Sequence, residues 1–402
     1  MRVLGRSSSL ARVTWRNWAG NVLCEPRAHV SANSEAEVVA ALREAERDGL
    51  GVRVAGSGHS FSPLVATNGL LLSLDGLAGI ARHEPEKQGI WVRAGTKLHA
   101  LGPALHALGL ALENLGDVDV QTLGGALATG THGTGRSLPN LSARVSGLRL
   151  LLADGSLRVL REDDEPELLA AARVSLGALG VVTAARIDCV PAYRLHERIE
   201  RMPVADCLAS LGERMAASRH FEFFWYPSRD LAEAKTLEPT ELPPEAVAGR
   251  KYERIGWSHE ILPSVREQRF VEMEYALPAE AGPACFGAVR ARMQSHHGGV
   301  LWPVEYRAVR SDDAWLSTAH ARETVTLSLH QDNALPWQDF FADLEPVLRA
   351  YGGRPHWGKR HGLGARELAR LYPRFDDFRR LASELDPTGR FRNDHLCELL
   401  GF

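Results

Sequence analysis

Lysine and cysteine are both scarce in this chain. Only five of its 47 basic residues are lysine (Lys87, Lys97, Lys235, Lys251, Lys359), and the other 42 are arginine. With abundant Ala, Leu and Gly, this fits the GC-rich coding of a bacterial genome. The five cysteines, Cys24, Cys189, Cys207, Cys285 and Cys397, are odd in number, scattered and free of any CxxC pair. That pattern suggests neither a disulfide framework nor a zinc site, and fits a reducing cytoplasm. No apolar run approaches the length of a membrane span. A formal net charge of −3 excludes a strong electrostatic pull toward nucleic acid or membrane surfaces. No Gly-Lys-Ser/Thr occurs, so a P-loop is excluded. Internal repeats and low-complexity linkers are missing too.

What is there is ordinary globular material: 402 residues, 45% hydrophobic and 24% charged. The length predicts two or three domains, each able to bury a core. Met1 to Arg16 holds four arginines and no acid. A transit peptide would look similar, but with no apolar core of a secretory signal behind it this reads as a short disordered tail.

The first half reads as α+β with short elements. Ser34-Glu35-Ala36-Glu37 is a capping box, and the helix behind it carries Val38, Leu42 and Ala45 on one face, ending before Gly49. Short strands follow at Val52 to Val54 and Ile90 to Val92. Leu98, Leu101, Leu105 and Leu108 make a helical stripe, and Leu110 to Leu112 returns to strand. After Tyr193 glycine thins and longer strands appear: Phe221 to Tyr226, Phe270 to Tyr275, Val304 to Val309 and Thr324 to His330. This predicts one antiparallel sheet with helices on a face. Pro239 to Pro244 marks a loop, and the tail from about Glu367 is helical.

Three glycine-rich loops occupy the first half: Ala55-Gly56-Ser57-Gly58-His59-Ser60-Phe61, Gly124 to Gly135, and Ser175 to Val182. Glycine lets backbone amides close on a ligand, and clustered amides bind anions such as a pyrophosphate. One such loop is a tight turn; three beside strands predict a dinucleotide. A Rossmann fingerprint does not fit, because Phe61 stands where the third glycine belongs and Ser62-Pro63 opens no helix.

The loop around His59 resembles the flavin-attachment loop of the vanillyl-alcohol-oxidase-type flavoproteins, in particular the aldonolactone and alditol oxidase branch. The resemblance covers nearly the whole chain. It includes Trp15-Arg16-Asn17-Trp18-Ala19-Gly20, Asn114-Leu115-Gly116, Thr129-Gly130-Thr131-His132-Gly133-Thr134-Gly135, Gly177-Ala178-Leu179-Gly180-Val181-Val182 and His356-Trp357-Gly358-Lys359. It implies FAD bonded through its 8α-methyl to His59. The further FAD-binding residues it implies are Ala55, Gly56, Ser57, Gly58, Ser60, Phe61, Gly116, Asp117, Thr122, Gly125, Thr129, Gly130, Thr131, His132, Gly180, Val181, Val182, His356 and Asn393.

Glu305 and Arg307 lie two apart in a strand, so both side chains share a face. Without context that is an exposed charged sheet face. The resemblance makes Val304-Glu305-Tyr306-Arg307 the active-site strand: Arg307 polarises the reacting alcohol and Glu305 binds substrate hydroxyls. It also places Lys359 on the substrate oxygen. Asp117 and His330 stand where alditol oxidases carry a serine and a threonine near the substrate. Gly116 occupies the position that gates oxygen. His296-His297 reads as a solvated pair rather than a metal site.

The expected fold is therefore α+β: a PCMH-type FAD domain (residues 1–192), an antiparallel-sheet cap domain (193–366) and a tail (367–402) returning to the FAD domain. The expected activity is cytoplasmic oxidation of a sugar 1,4-lactone, with hydride passing to flavin N5 and O2 reoxidising the flavin to give H2O2. An alditol oxidase, a lactone dehydrogenase feeding a carrier, and a flavin-binding protein without oxidase activity are the alternatives. No metal, nucleic acid or membrane span is expected.

Overall fold

The computed structural model describes residues 14–87, 89–264 and 267–402. Most of the basic N-terminal segment lies outside the described residues. Besides two two-stranded pairs, the first part carries two larger sheets. Ala28–Ser31, Leu70–Ser73 and Val52–Ala55 form a parallel three-stranded sheet in that order. Leu157–Arg161, Val145–Leu151, Val181–Asp188, Gly89–Arg93 and Ile80–Glu84 form an antiparallel sheet of five. The helix Glu35–Arg47 buries Val38, Ala41, Leu42 and Ala45, the face its period predicts.

The second part is one antiparallel sheet of eight strands. In order they are Glu253–Trp257, Arg194–Pro203, Leu231–Thr240, His220–Tyr226, Val304–Val309, Thr324–Asp332, Phe270–Pro278 and Arg354–Pro355. The helix Gly282–His296 packs on one face. Tyr306 there stacks on Phe223 at 5.0 Å and meets Phe286 edge-on at 6.2 Å. Burying each such ring contributes about 1.5–3 kcal/mol. Because strand side chains alternate, Tyr306 inward on this face commits Glu305 and Arg307 to the opposite one. All six residues of that strand are buried, so the carboxylate and guanidinium are not on an exposed sheet face.

The three C-terminal helices, Ala365–Leu371, Phe375–Leu385 and Asp394–Leu400, follow as the tail pattern predicts. Between the last two the chain returns to the first part. The Val52 amide donates to the Arg390 carbonyl at 2.7 Å, and the Asn393 side chain donates to the carbonyls of Pro63 and Ala66 at 3.0 and 2.8 Å.

Four local expectations need correction. Glu37 does not complete a capping box with Ser34; its carboxylate takes the Asn33 amide at 2.9 Å, although Ser34 still accepts from Glu37. The helix Leu98–His106 ends early, which leaves Leu108 exposed. Pro239 is in strand, paired only with Leu195; the neighbour on its other side stops at His220 opposite Leu237, so its missing N–H costs no ladder bond. The glycine-dense stretch is not all loop. Leu123–Thr129 is a short helix, capped by Thr122 and ended by Gly130 at φ 72°. His296 and His297 engage protein partners, His297 bonding Asp343 at 2.7 Å and His296 contacting Ser295 and Arg292.

Candidate active site

The three glycine loops meet around one slot. Ala55, Gly56, Ser57, Gly58, His59, Ser60, Thr122, Gly125, Thr129, Gly180 and Val182 line it. The packing there tolerates no side chain at key points: a Cβ on Gly56 would stand 2.2 Å from Thr122 Oγ1, and Gly58 has φ 69°. Arg53 supplies a buried cation in the same wall. Its guanidinium donates to the carbonyls of Leu64 (2.7 Å), Leu176 (2.7 Å), Gly177 (3.2 Å) and Phe391 (2.6 Å). Burial lowers its pKa to about 10, which leaves it charged at neutral pH. A cation held by neutral carbonyls, beside loops rich in amides, suits the diphosphate of a dinucleotide.

A second cavity of about 750 Å³ adjoins the slot; His59, Ser60, Gln121 and Thr129 line both. His59 thus stands at the junction. Burial, then the nearby charges of Lys359 and Lys97, push its pKa down to about 4, so the imidazole is neutral. The Trp18 ring stacks beside it.

Phe61, Gly116, Asp117, Thr131, His132, Glu305, Arg307, His330, His356 and Lys359 line the second cavity. Arg307 sits among three carboxylates: Asp117 at 2.8 Å, Glu222 at 2.7 Å and Glu305 at 2.6 Å. Burial opposes its charge, but these acids override that and hold its pKa above the usual value. Lys359 is ion-paired with Glu272 and lies over the Phe61 ring. Burial would raise Glu272, yet Lys359 and His330 hold its carboxyl below the ordinary range. His330 Nδ1 donates to the Pro303 carbonyl at 2.9 Å and turns Nε2 toward Glu272.

A third group completes the wall. His132 donates through Nδ1 to its neighbour's carbonyl, Gly133 O, and bonds Glu274 through Nε2 at 2.8 Å. Ser328 donates to the other Glu274 oxygen at 2.9 Å. Burial pushes Glu274 up, but His132 and His356 outweigh it and keep the carboxyl well below the usual range. His356 Nδ1 accepts from the Gly358 amide, and burial lowers that imidazole to about 4.

Three residues named from the sequence line neither cavity. Gly130 is the left-handed end of its helix, Val181 is buried in a small core cluster, and Asn393 caps Asp394–Leu400 while tying it to residues 63–66. Sequence reasoning missed Arg53, Glu222, Glu272, Glu274 and Arg254. The strand Phe270–Pro278 was visible as a strand, and Glu272 and Glu274 alternate within it. Nothing local marked its acidic face as a cavity wall.

Residues 26–161 match the FAD binding domain model, and residues 185–255 and 245–399 match the D-arabinono-1,4-lactone oxidase model. The slot and its domain define the protein as an FAD-dependent oxidoreductase. It belongs to the D-arabinono-1,4-lactone oxidase family. The L-gulono-1,4-lactone dehydrogenase of Mycobacterium tuberculosis is 35% identical over 96% of this chain and 99% of its own. The alditol oxidase of a Streptomyces species is 32% identical over 96% and 98%, and the L-gulonolactone oxidase of Mus musculus is 29% identical over 96% and 97%. Cholesterol oxidase from B. sterolicum superposes with a TM-score of 0.85 over 97% of both chains, at 16% identity. That likeness shows the shared fold, as expected from the sequence. Among the described residues no helix is long and apolar enough to cross a membrane.

Proposed function

We propose that this chain oxidises a secondary alcohol of a sugar 1,4-lactone, with FAD held covalently by His59. On this reading residues 1–192 are the FAD domain, 193–366 cap it and 367–402 return to it. The observation that carries the proposal is one cavity holding Arg307, Lys359 and His59 together. When bound, FAD supplies the hydride acceptor, with O2 as the final oxidant and H2O2 as product.

The protein's own part is orientation and proton handling. Glu305 and Asp117 accept hydrogen bonds from hydroxyls of the sugar ring. Arg307 remains cationic and stabilises negative charge that develops in the site. The reacting hydroxyl loses its proton toward the Lys359–Glu272 pair, whose carboxylate can accept it. His330 contacts the part of the substrate beside Glu272. The neutral His59 imidazole keeps a lone pair available for bonding to the flavin methyl group.

The test is anaerobic stopped-flow reduction of the flavin by a panel of lactones and polyols, followed by mixing with O2 and peroxide detection. Arg307→Ala and Lys359→Met should each slow reduction roughly 10²–10⁴-fold. Near-normal reduction in both would refute the residue roles. The alditol oxidase relative supports a second reading, in which xylitol or sorbitol is the substrate; turnover of those without lactone activity would replace the first. Sluggish reoxidation by O2, with fast transfer to a dye, would make the chain a dehydrogenase.

A further inference from the structure

Five adjacent strands of the large sheet each contribute one charged side chain to a continuous row. In strand order these are Arg254, Glu197, Lys235, Glu222 and Arg307, alternating in sign from end to end. Arg254 grips Glu197 with two bonds of 2.6 and 2.9 Å. Lys235 Nζ lies 3.7 Å from Glu197 and 2.8 Å from Glu222. Glu222 in turn accepts from Arg307 Nε at 2.7 Å. Three of these contacts join residues directly opposite each other in the ladder: Glu197 with Arg254, Glu222 with Lys235, and Glu222 with Arg307. Opposite charges at such positions support one another. Both ends of the row reach the substrate cavity, which Arg254 and Arg307 line. Arg254 also donates to the Ile261 carbonyl, beside the cavity segment that contains Pro263 and Ser264.

We propose that Lys235 is a positioning residue for the reaction, acting on Arg307 through the Glu222 carboxylate that lies between them. This rests on the reading of Arg307 as catalytic. The reason is charge balance. Arg307 alone faces three carboxylates, and a buried carboxylate without its own counterion takes up a proton instead of staying charged. Lys235 is the second cation. The charged and titratable groups facing Glu222 are Lys235 from Leu231–Thr240, Arg307 and, through it, Glu305 from Val304–Val309, Asp117 from its loop, and His220 on the same strand. Burial pushes Glu222 up; Lys235 and Arg307 together hold it below the ordinary range.

Without Lys235 the Glu222 carboxyl protonates, its grip on Arg307 Nε weakens, and Asp117 and Glu305 hold the guanidinium from its other nitrogens only. A buried ion network can be exchanged for apolar side chains at little cost in stability, so the test must read more than stability.

The test uses holoenzyme variants Lys235→Met, Lys235→Arg, Glu222→Gln and the Lys235→Met/Glu222→Gln pair. The flavin-reduction rate at saturating substrate is followed between roughly pH 5 and 9, with Tm over the same range. Lys235→Met should lose activity on the acid side with a limb displaced upward by about one pH unit or more, a tenfold loss per unit. Its KM should change less than its kcat, and Lys235→Arg should restore the parent limb. Glu222→Gln should be slow without that limb, and the double variant should be no slower than Glu222→Gln. In Lys235→Met, Tm should rise relative to the parent as pH falls, because the protonated Glu222 is then the favoured buried form.

A parent-like rate and pH profile in Lys235→Met, or additive losses in the double variant, would overturn the proposal. Should Lys235→Met fail to fold, a parent-like profile in Glu222→Gln overturns it equally. Normal reduction by Arg307→Ala overturns the underlying reading instead, so the two failures are distinguishable.

Discussion

The Trp18 indole lies nearly parallel to the His59 imidazole, ring centroids 5.1 Å apart and planes 22° apart. Phe61 and Phe270 meet the Trp18 ring edge to face at 6.5 and 5.4 Å. The imidazole is therefore backed by an aromatic wall that fixes its plane. Trp18→Ala should reduce the fraction of flavin that stays with acid-precipitated protein, and Trp18→Phe should retain most of it. His59→Ala should release all flavin into the supernatant. Protein-bound yellow colour in His59→Ala would refute covalent attachment at this residue.

Gly56 tests the cofactor slot without touching the substrate side. An added methyl would stand 2.2 Å from Thr122 Oγ1, so the loop or the helix cap must shift. In a His59→Ala background, where no bond can form, Gly56→Ala should weaken FAD binding at least tenfold, read by titration of apoprotein with FAD. Circular dichroism should stay near the parent spectrum, which separates a slot defect from misfolding.

Gly116 lies on the wall of the substrate cavity, and a Cβ there would meet the His132 carbonyl at 2.9 Å. Gly116→Ala should slow reoxidation by O2 about tenfold or more while leaving reduction by substrate closer to the parent rate. Stopped-flow mixing of the reduced enzyme with O2 measures the first. An unchanged oxygen reaction would remove Gly116 from the oxygen path.

Glu272 and Glu274 set an acid limit on stability. Both are buried, and both are held below their usual range by cationic or histidine partners. Each lowered carboxyl contributes stability that is complete above the unfolded value of about 4.3 and is lost as pH falls through the folded value. Glu272→Gln and Glu274→Gln should each cost about 1–3 kcal/mol at neutral pH. The gap in Tm from the parent should narrow as pH falls below about 4.3, through the lowered folded values. A gap that persists in acid would show that packing, not charge, is what the glutamates contribute.

Much of the site was legible because its chemistry is written in local patterns. The Gly-x-Gly-His run, the alternation of Glu305 and Arg307, and the spacing of His356 and Lys359 each fix geometry over a few residues. Their partners were not legible for a physical reason. Glu222 is a lone acid in an aromatic strand, and only sheet order brings it opposite both Lys235 and Arg307. Arg53 looked like one arginine among 42; three of the four carbonyls it holds lie more than a hundred residues away. Strand interiors were read well, whereas ends failed where a single residue decides them, as at Leu108 and Pro239.

Arg53 has a consequence for how the protein is made. Its guanidinium gathers carbonyls from residues 64, 176, 177 and 391 into one wall. The last of these leaves the ribosome more than two hundred residues after the glycine loops are complete. The slot therefore gains its last strut only once residue 391 has been added. A chain interrupted between residues 182 and 391 would carry all three glycine loops yet lack this strut.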